Sequence, residues 1–213
     1  MKAIVYTQYG PPDVLRFTEA AKPTAKDDEV LIRVRAASVN PLDWHVMRGK
    51  PYIMCMMGGL RKPKSARLGC DVAGQVESVG RKVTQFKPGD QVFGGAIGIG
   101  AFAEYVCVPE SASVMKPDRM TFEQAASVPV AGLSALQGLR DKAQVQAGQK
   151  VLINGAAGGV GTFAVQIAKS LGADVTGVCS TRNVDLVRSL GAARVIDYTQ
   201  EDFTKSGQHA GGC

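Results

Sequence analysis

The chain has 213 residues, 45% of them apolar and 21% charged, and this composition excludes a disordered chain and a membrane-embedded one. The formal net charge is +6. The five cysteines form no CxxC pair, which argues against a disulfide framework and a structural zinc site. The N-terminus enters a strand-like alternation without a signal region, so we expect a cytoplasmic protein with reduced thiols and no membrane association.

The first part of the chain, about residues 1–115, is predicted to form short strands separated by Gly/Pro turns. Apolar and polar residues alternate over 29–36, 72–79 and, roughly, 102–108. A strong turn pattern, Lys87-Pro88-Gly89-Asp90, comes just before Gln91-Val92-Phe93. Many short strands with regular turns are typical of a compact β-barrel or sandwich-like domain.

One segment within this part carries the whole positive surplus. Six basic residues and no acidic one lie between positions 48 and 67: Arg48, Lys50, Arg61, Lys62, Lys64 and Arg67. A nucleic-acid site usually interleaves stacking aromatic residues, and Tyr52 is the single aromatic here, so we expect no nucleic-acid partner. The segment is interpreted either as a solvated loop or as a cationic rim that attracts an anionic cofactor or substrate.

Four methionines are concentrated in the same region: Met47, Met54, Met56 and Met57. Methionine adapts to irregular apolar surfaces, so they could form a flexible lip over a hydrophobic substrate. Ordinary loop packing would explain the same composition.

The pattern changes after residue 120. Thr121 and Gln124 have the spacing of a capping box, and helical sequence follows in two pieces, broken near Pro129 and ending by Lys142. Short apolar strands are then predicted at 150–154, 173–179 and 194–197, with helices at 160–171 and 183–190 that end at glycines. This alternation predicts a parallel α/β sheet.

A glycine-rich loop at 154–161 lies between the first of these strands and its helix. Small residues allow a tight turn and close approach of the backbone to a pyrophosphate, which the helix N-terminus then binds. Ala156 replaces the first glycine of the usual GxGxxG pattern. The predicted cofactor-binding residues of the loop are Ala157, Gly158, Gly159, Val160 and Gly161.

The end of the second strand predicts which dinucleotide binds. An NAD site places Asp or Glu there, whereas this strand is followed by Ser180, Thr181 and Arg182, and no carboxylate occurs before Asp185. Hydroxyl groups can hydrogen-bond a 2′-phosphate and an arginine can neutralise it. The cofactor is therefore predicted to be NADPH.

The sequence resembles the zinc-independent quinone oxidoreductase (zeta-crystallin-like) branch of the medium-chain dehydrogenase/reductase superfamily. The resemblance is carried by residues 37–43, 68–74, 86–92, 125–129, 156–161, 190–192 and 195–198. It implies an α/β protein with a GroES-like β-barrel domain at 1–128, followed at 129–213 by the first half of a Rossmann domain, a doubly wound parallel sheet.

The resemblance also bears on metal. In zinc-dependent relatives the positions that match Asn40, Cys70 and Asp71 hold the catalytic zinc, which needs about three protein ligands. Only a thiol and a carboxylate remain at these positions. The stretch 93–100, where the relatives' four-cysteine lobe would fall, contains no cysteine. We therefore expect no metal and a buried Cys70 that packs as a small apolar residue.

The activity implied by the resemblance is hydride transfer from NADPH to a quinone or α,β-unsaturated carbonyl, with a small apolar carbonyl or quinone as substrate. Asn40 would lie near nicotinamide and substrate. His45, where many relatives carry tyrosine, would either donate a proton or be a helix residue with a satisfied hydrogen bond. Ser134 matches a position near the nicotinamide amide, and Tyr198 one beside the adenosine phosphate.

A full Rossmann sheet has six strands, and the residues after Val151 supply three. We therefore expect a C-terminal truncation, with one edge of strand 150–154 open and a possible homo-oligomer weakened. Three hypotheses follow: an NADPH-dependent oxidoreductase with an incomplete sequence, a truncated inactive product that retains partial dinucleotide binding, or a non-enzymatic interaction protein.

Overall fold

The structure, a computed structural model, describes residues 1–52, 56 and 59–204. The chain divides into two compact units, an N-terminal unit, Met1–Val130, and a C-terminal unit, Ala131–Cys213. Nowhere in the described ranges does a helix have the length and apolar character needed to cross a bilayer.

Antiparallel strands make up most of the N-terminal unit. Its elements are β1 (Lys2–Val5), β2 (Arg16–Glu19), β3 (Glu29–Ser38), α1 (Pro41–Arg48), β4 (Asp71–Val79), β5 (Gln91–Gly95), β6 (Tyr105–Pro109), β7 (Ser113–Met115) and α2 (Phe122–Ala126). Five strands form one sheet in the order β6-β3-β4-β5-β7, and β1 pairs with β2. The predicted strand-rich N-terminal part is confirmed.

The predicted alternation reflects burial on one face of this sheet. On β6, Val106 and Val108 are buried in the main core cluster while Cys107, between them, faces the other side. The predicted strand at 102–108 begins only at Tyr105, because Phe102 O accepts a hydrogen bond from Ile4 N at 2.8 Å, outside the main sheet.

The C-terminal unit alternates strands and helices as predicted. Helix α3 (Pro129–Leu136) crosses the boundary between the units and continues as a π-helical stretch, Gln137–Lys142. The following elements are β8 (Lys150–Asn154), α4 (Gly159–Ser170), β9 (Asp174–Cys179), α5 (Val184–Ser189) and β10 (Arg194–Asp197). The strands are parallel in the order β10-β9-β8, so β8 has a strand partner on one side only among the described strands.

Local sequence rules account for the helix starts. Thr121 Oγ1 accepts from Gln124 N at 3.2 Å and Gln124 Oε1 accepts from Thr121 N at 2.9 Å, which confirms the capping box. The helical region is interrupted before Pro129, as predicted, because a proline disfavours helical geometry in the preceding residue. Helix α5 begins one residue later than predicted, since Thr181–Asn183 forms a 3₁₀ turn.

Of the methionine-rich segment, the structure describes Met47 and Met56. Met47 is buried in a core cluster with Tyr6 and Leu68, so it is a packing residue. Met56 is exposed. Met54, Met57 and the residues 207–213 lie outside the described residues.

Candidate functional site

A cavity of about 290 Å³ lies in the C-terminal unit, at the carboxyl ends of β8 and β9. It is lined by Gly155, Ala157, Gly158, Cys179, Ser180, Arg182, Asn183 and Tyr198. Five of these were predicted from the sequence to bind the cofactor: Ala157, Gly158, Ser180, Arg182 and Tyr198. The carboxyl edge of a parallel sheet is where ligands bind in open α/β folds.

The backbone of the glycine loop is held in a tight turn at the edge of this cavity. Gly155 has a φ of +71°, which favours glycine, and its carbonyl accepts from Gly158 N at 2.9 Å. Ala156 N donates to Val178 O at 3.0 Å, which fixes the loop to β9. Ala156 is fully buried, so a methyl group fits where the usual pattern has its first glycine. Helix α4 then begins with N–H groups that have no acceptor within the helix.

Four other predicted cofactor residues do not line this cavity. Gly159 and Val160 are exposed in the first turn of α4, and Gly161 is buried behind the loop. Ser134 is exposed on α3. Their proposed contacts with a cofactor stay predictions.

The charge on the cavity wall is positive. Among the described residues that line the cavity, Arg182 alone is charged, and it makes no ion pair within 4 Å to another described side chain. Ser180 Oγ accepts from Asn183 Nδ2 at 3.1 Å, which leaves its hydroxyl proton free to donate to a ligand. Three lining residues were not predicted as cofactor-binding: Gly155, which lies in the predicted glycine loop, and Cys179 and Asn183, which lie within three positions of Ser180.

Thr181 has a different role from the one expected. Its hydroxyl donates to Asp197 Oδ2 at 2.6 Å, and it is not among the cavity residues. This hydrogen bond is the main cause that lowers the pKa of Asp197. Thr181 therefore joins the ends of β9 and β10, and the expectation that it binds a 2′-phosphate lacks support from its geometry.

Asn40 belongs to a buried polar cluster in the N-terminal unit. Asn40 Nδ2 donates to Asp71 Oδ2 at 3.0 Å and to Ser38 Oγ at 3.1 Å, while Ser38 Oγ donates to the same carboxylate oxygen at 2.7 Å. Asp71 Oδ1 accepts from Val130 N at 3.1 Å. Asp71 is fully buried, and burial raises its pKa despite the opposing effect of the hydrogen bonds from Ser38 and Asn40.

The backbone of Asn40 is also held in place. Its N–H donates to Asp43 Oδ2 at 2.8 Å, and the other oxygen of that carboxylate accepts from Gly69 N at 3.2 Å. Both ends of Asn40 are thus fixed at the start of α1 by carboxylates with little solvent contact, Asp43 and Asp71. Such double restraint is what a positioned amide requires.

The hydrogen bonding of His45 limits its chemistry. Its Nδ1 lies 2.8 Å from Lys50 O, and its ring makes an edge contact with Trp44 at a centroid distance of 4.7 Å. A carbonyl can only accept, so Nδ1 carries the proton and Nε2 of the neutral ring is an acceptor. His45 can therefore donate from Nε2 only as the imidazolium.

Asn40, Cys70 and Asp71 are the residues that the resemblance places at zinc-binding positions. Cys70 is buried, and its burial raises the thiol pKa to about 12, which opposes the thiolate that zinc requires. The Asn40 amide donates to Asp71, so it presents N–H groups there. Within the described ranges no three His, Cys, Asp or Glu side chains come together as a possible metal site.

Each of the two compact units contains a match to one known protein family. The Alcohol dehydrogenase GroES-like domain family matches residues 26–118, and the Zinc-binding dehydrogenase family matches residues 159–212. The chain belongs to the medium-chain dehydrogenase/reductase superfamily.

Relatives of known activity or structure are similar over nearly the whole chain. The NADPH-dependent alkenal/one oxidoreductase of Arabidopsis thaliana, named as chloroplastic, is 38% identical over 95% of this chain and 54% of its own. The quinone oxidoreductase of Coxiella burnetii is 39% identical, with a TM-score of 0.85, over 96% of this chain and 64% of its own. The quinone oxidoreductase of Escherichia coli, solved with NADPH, is 29% identical, with a TM-score of 0.82, over 95% and 60%. The chain thus spans less than two thirds of each of these proteins.

Proposed function

We propose that this chain provides the substrate-side unit and the adenosine-binding half of an NADPH-dependent, zinc-independent oxidoreductase that reduces a quinone or an α,β-unsaturated carbonyl. Residues 1–128 would form the substrate domain and 129–213 the first half of the cofactor domain. The observation that supports this best is the cavity with the glycine loop on one side and Ser180 and Arg182 on the other. The similarity of the chain to reductases of quinones and alkenals supports the proposed substrate class.

The proposed chemistry divides into hydride transfer and protonation. NADPH, when bound, supplies the hydride. Asn40, whose amide is held by Ser38 and Asp71, is proposed to lie beside the nicotinamide and the substrate. His45 is proposed to supply the proton, and because Lys50 O occupies Nδ1, it does so as the imidazolium.

The preference for a cofactor with a 2′-phosphate is tested with nucleotides that represent only the adenosine end of the cofactor. We expect 2′,5′-ADP to bind more tightly than 5′-AMP, and Arg182→Ala to weaken 2′,5′-ADP by about 10- to 100-fold, the loss of one charge-assisted hydrogen bond. Binding of 5′-AMP should be unchanged. Isothermal titration calorimetry measures both ligands.

The matched control is Arg188→Ala, which removes an equal charge from α5 outside the cavity, where Arg188 lies 3.7 Å from Asp185. Arg188→Ala should retain the preference. Equal affinity of the wild type for the two nucleotides, or an equal loss in both variants, would contradict the proposed role of Arg182.

Turnover is tested separately. Oxidation of NADPH by the chain with 9,10-phenanthrenequinone or an enone, followed at the nicotinamide absorbance, supports the reductase. Nucleotide binding without turnover favours the alternative, a chain that retains dinucleotide binding without catalysis.

Zinc independence predicts that chelation changes nothing. Incubation with EDTA should leave Tm and nucleotide binding unchanged, because Cys70 remains a buried thiol. Differential scanning fluorimetry and elemental analysis measure this. Stoichiometric zinc that is lost in Cys70→Ala but kept in Cys107→Ala would refute it.

The cytoplasm is the proposed location, on the basis of five cysteines without a CxxC pair. The proposed small-molecule partner is an apolar carbonyl or quinone. Self-association into a homo-oligomer stays a prediction, which size-exclusion chromatography with light scattering tests.

A further inference from the structure

A second cavity, of about 420 Å³, is lined by residues of the N-terminal unit, and Asn40 is not among them. Its apolar wall includes Pro23, Ile97, Ile99 and Pro109. Its polar wall is formed by Lys26, Glu29, Arg67, Cys107 and Thr24. The volume falls in the range of cavities that bind small organic molecules.

Arg67 lines this cavity as a cation that makes no ion pair with another described residue. Its Nη1 is buried and has no hydrogen-bond partner among the described residues, and no described carboxylate lies within 4 Å of its guanidinium. A buried donor without an acceptor is costly, and such a group in a folded protein needs an explanation. A ligand that supplies the acceptor is one explanation, and it requires the guanidinium to turn toward the cavity, because Nη1 is shielded from solvent.

The Arg67 side chain is held in place by its surroundings. Its backbone pairs with Val5 of β1. On the other side, Gly100 lies so close to the arginine stem that an added Cβ would approach Arg67 Cβ to 2.7 Å. The guanidinium is thus carried on a packed stem, which lowers the entropic cost of binding a ligand.

The carboxylate in the cavity is already engaged. Glu29 accepts from Lys26 N at 3.0 Å and from Lys26 Nζ at 3.1 Å. The three charged lining residues leave a net charge of one positive, located on Arg67. Burial and the Glu29 carboxylate raise the pKa of the Cys107 thiol, while the Arg67 and Lys26 charges oppose this.

We propose that this cavity binds a small organic carboxylate, whose anionic group pairs with the Arg67 guanidinium and whose apolar part packs on Ile97 and Ile99. A planar guanidinium matches a carboxylate with two parallel hydrogen bonds. A monoanion fits better than a phosphate dianion, because the Glu29 carboxylate repels additional negative charge. The apolar wall distinguishes an organic carboxylate from an inorganic anion.

Benzoate is the probe, with neutral benzamide and inorganic phosphate as comparisons. Calorimetric titration of the full chain should show benzoate binding at least about tenfold more tightly than either. Arg67→Met, which keeps the apolar stem, should weaken benzoate by at least about tenfold, and Arg67→Lys should restore part of the loss. Arg61→Met removes an equal charge from an exposed position of the same basic segment and should bind benzoate as the wild type does.

Cys107 reports the location of binding. Benzoate should slow alkylation of Cys107 by iodoacetamide in the wild type and not in Arg67→Met, as read by peptide mass spectrometry, because the thiol lines the same cavity. Without ligand, Arg67→Met should be at least as stable to urea as the wild type, since the substitution removes an unsatisfied buried donor.

Four results would overturn the proposal: no binding of benzoate, equal binding of benzamide, phosphate binding as tight as benzoate, or benzoate binding unaffected by Arg67→Met. A marked loss of stability in ligand-free Arg67→Met would instead assign the guanidinium a structural partner and also overturn it.

Discussion

Gly161→Ala is expected to lower the free energy of unfolding of the C-terminal unit by about 1–3 kcal/mol and to weaken 2′,5′-ADP binding at least about tenfold. A Cβ at Gly161 would lie 2.1 Å from Gly155 O and 2.8 Å from Ala156 Cα. Both contacts are with backbone of the glycine loop, which cannot move aside without displacing the wall of the cavity. Urea unfolding followed by circular dichroism and calorimetric titration measure the two effects.

Gly138→Ala is the matched control. Gly138 lies in the π-helical stretch of the same unit, and a Cβ there would meet no atom within 4 Å. This variant should keep its stability and its affinity, so a general cost of replacing glycine by alanine is separated from the clash. Equal behaviour of the two variants would show that α4 does not need a close approach to the loop.

Features that depend on neighbours in sequence could be predicted. The capping box of Thr121 needs only Gln124, three residues away, and the interruption before Pro129 needs only the proline ring. The parallel sheet followed from the alternation of strands and helices. The cavity could be predicted in part because the glycine loop and Ser180 both follow strands of that sheet.

Features that depend on partners distant in the sequence could not be predicted. The Thr181 hydroxyl is directed at Asp197, 16 residues later, so a residue that suits a phosphate donates elsewhere. Arg67 belongs to a run of basic residues in the sequence, yet its Nη1 is buried by loops that the pattern does not bring together. The Lys50 carbonyl determines which ring nitrogen of His45 carries the proton. Every residue has a backbone carbonyl, so the sequence does not show which one the ring contacts.

The relative arrangement of Asn40 and Asp71 is another tertiary feature. The resemblance placed both residues at positions that hold zinc in zinc-dependent relatives, but it did not show that the two residues are hydrogen-bonded to each other. In the structure, Asn40 and Ser38 both donate hydrogen bonds to the buried carboxyl group of Asp71. This cluster leads to a test that depends on pH.

Asp71→Ala is expected to lower the free energy of unfolding of the N-terminal unit by about 3 kcal/mol near pH 4, because it removes three hydrogen bonds from a fully buried site. The loss should decrease as the pH rises. Burial raises the pKa of Asp71 above that of the unfolded chain, with a further contribution from Asp43. The native state therefore holds this proton to higher pH than the unfolded state does.

The sign of the pH dependence follows from this difference. Stabilisation by Asp71 is complete below about pH 4, the ordinary aspartate pKa, and is lost progressively as the pH rises through the folded-state pKa. Urea unfolding between pH 4 and 8, followed by fluorescence of the single tryptophan, Trp44, measures the difference in unfolding free energy between wild type and variant. Taking the difference cancels the titration of groups that do not interact with Asp71, so the narrowing reports Asp71 together with the neighbouring carboxylate that raises its pKa, Asp43.

Asp197→Ala provides a comparison of opposite sign. The hydrogen bond from Thr181 lowers the pKa of Asp197, so its stabilisation is present above about pH 4 and is lost as the pH falls through the folded-state pKa. The difference in unfolding free energy between the wild type and Asp197→Ala, measured by circular dichroism, should stay constant or widen with pH. Over the same pH range the difference for Asp71→Ala should narrow. A difference for Asp71→Ala that widens with pH would mean that the hydrogen bonds from Ser38 and Asn40 outweigh the cost of burying the charge, and that Asn40 is held by a stabilised carboxylate.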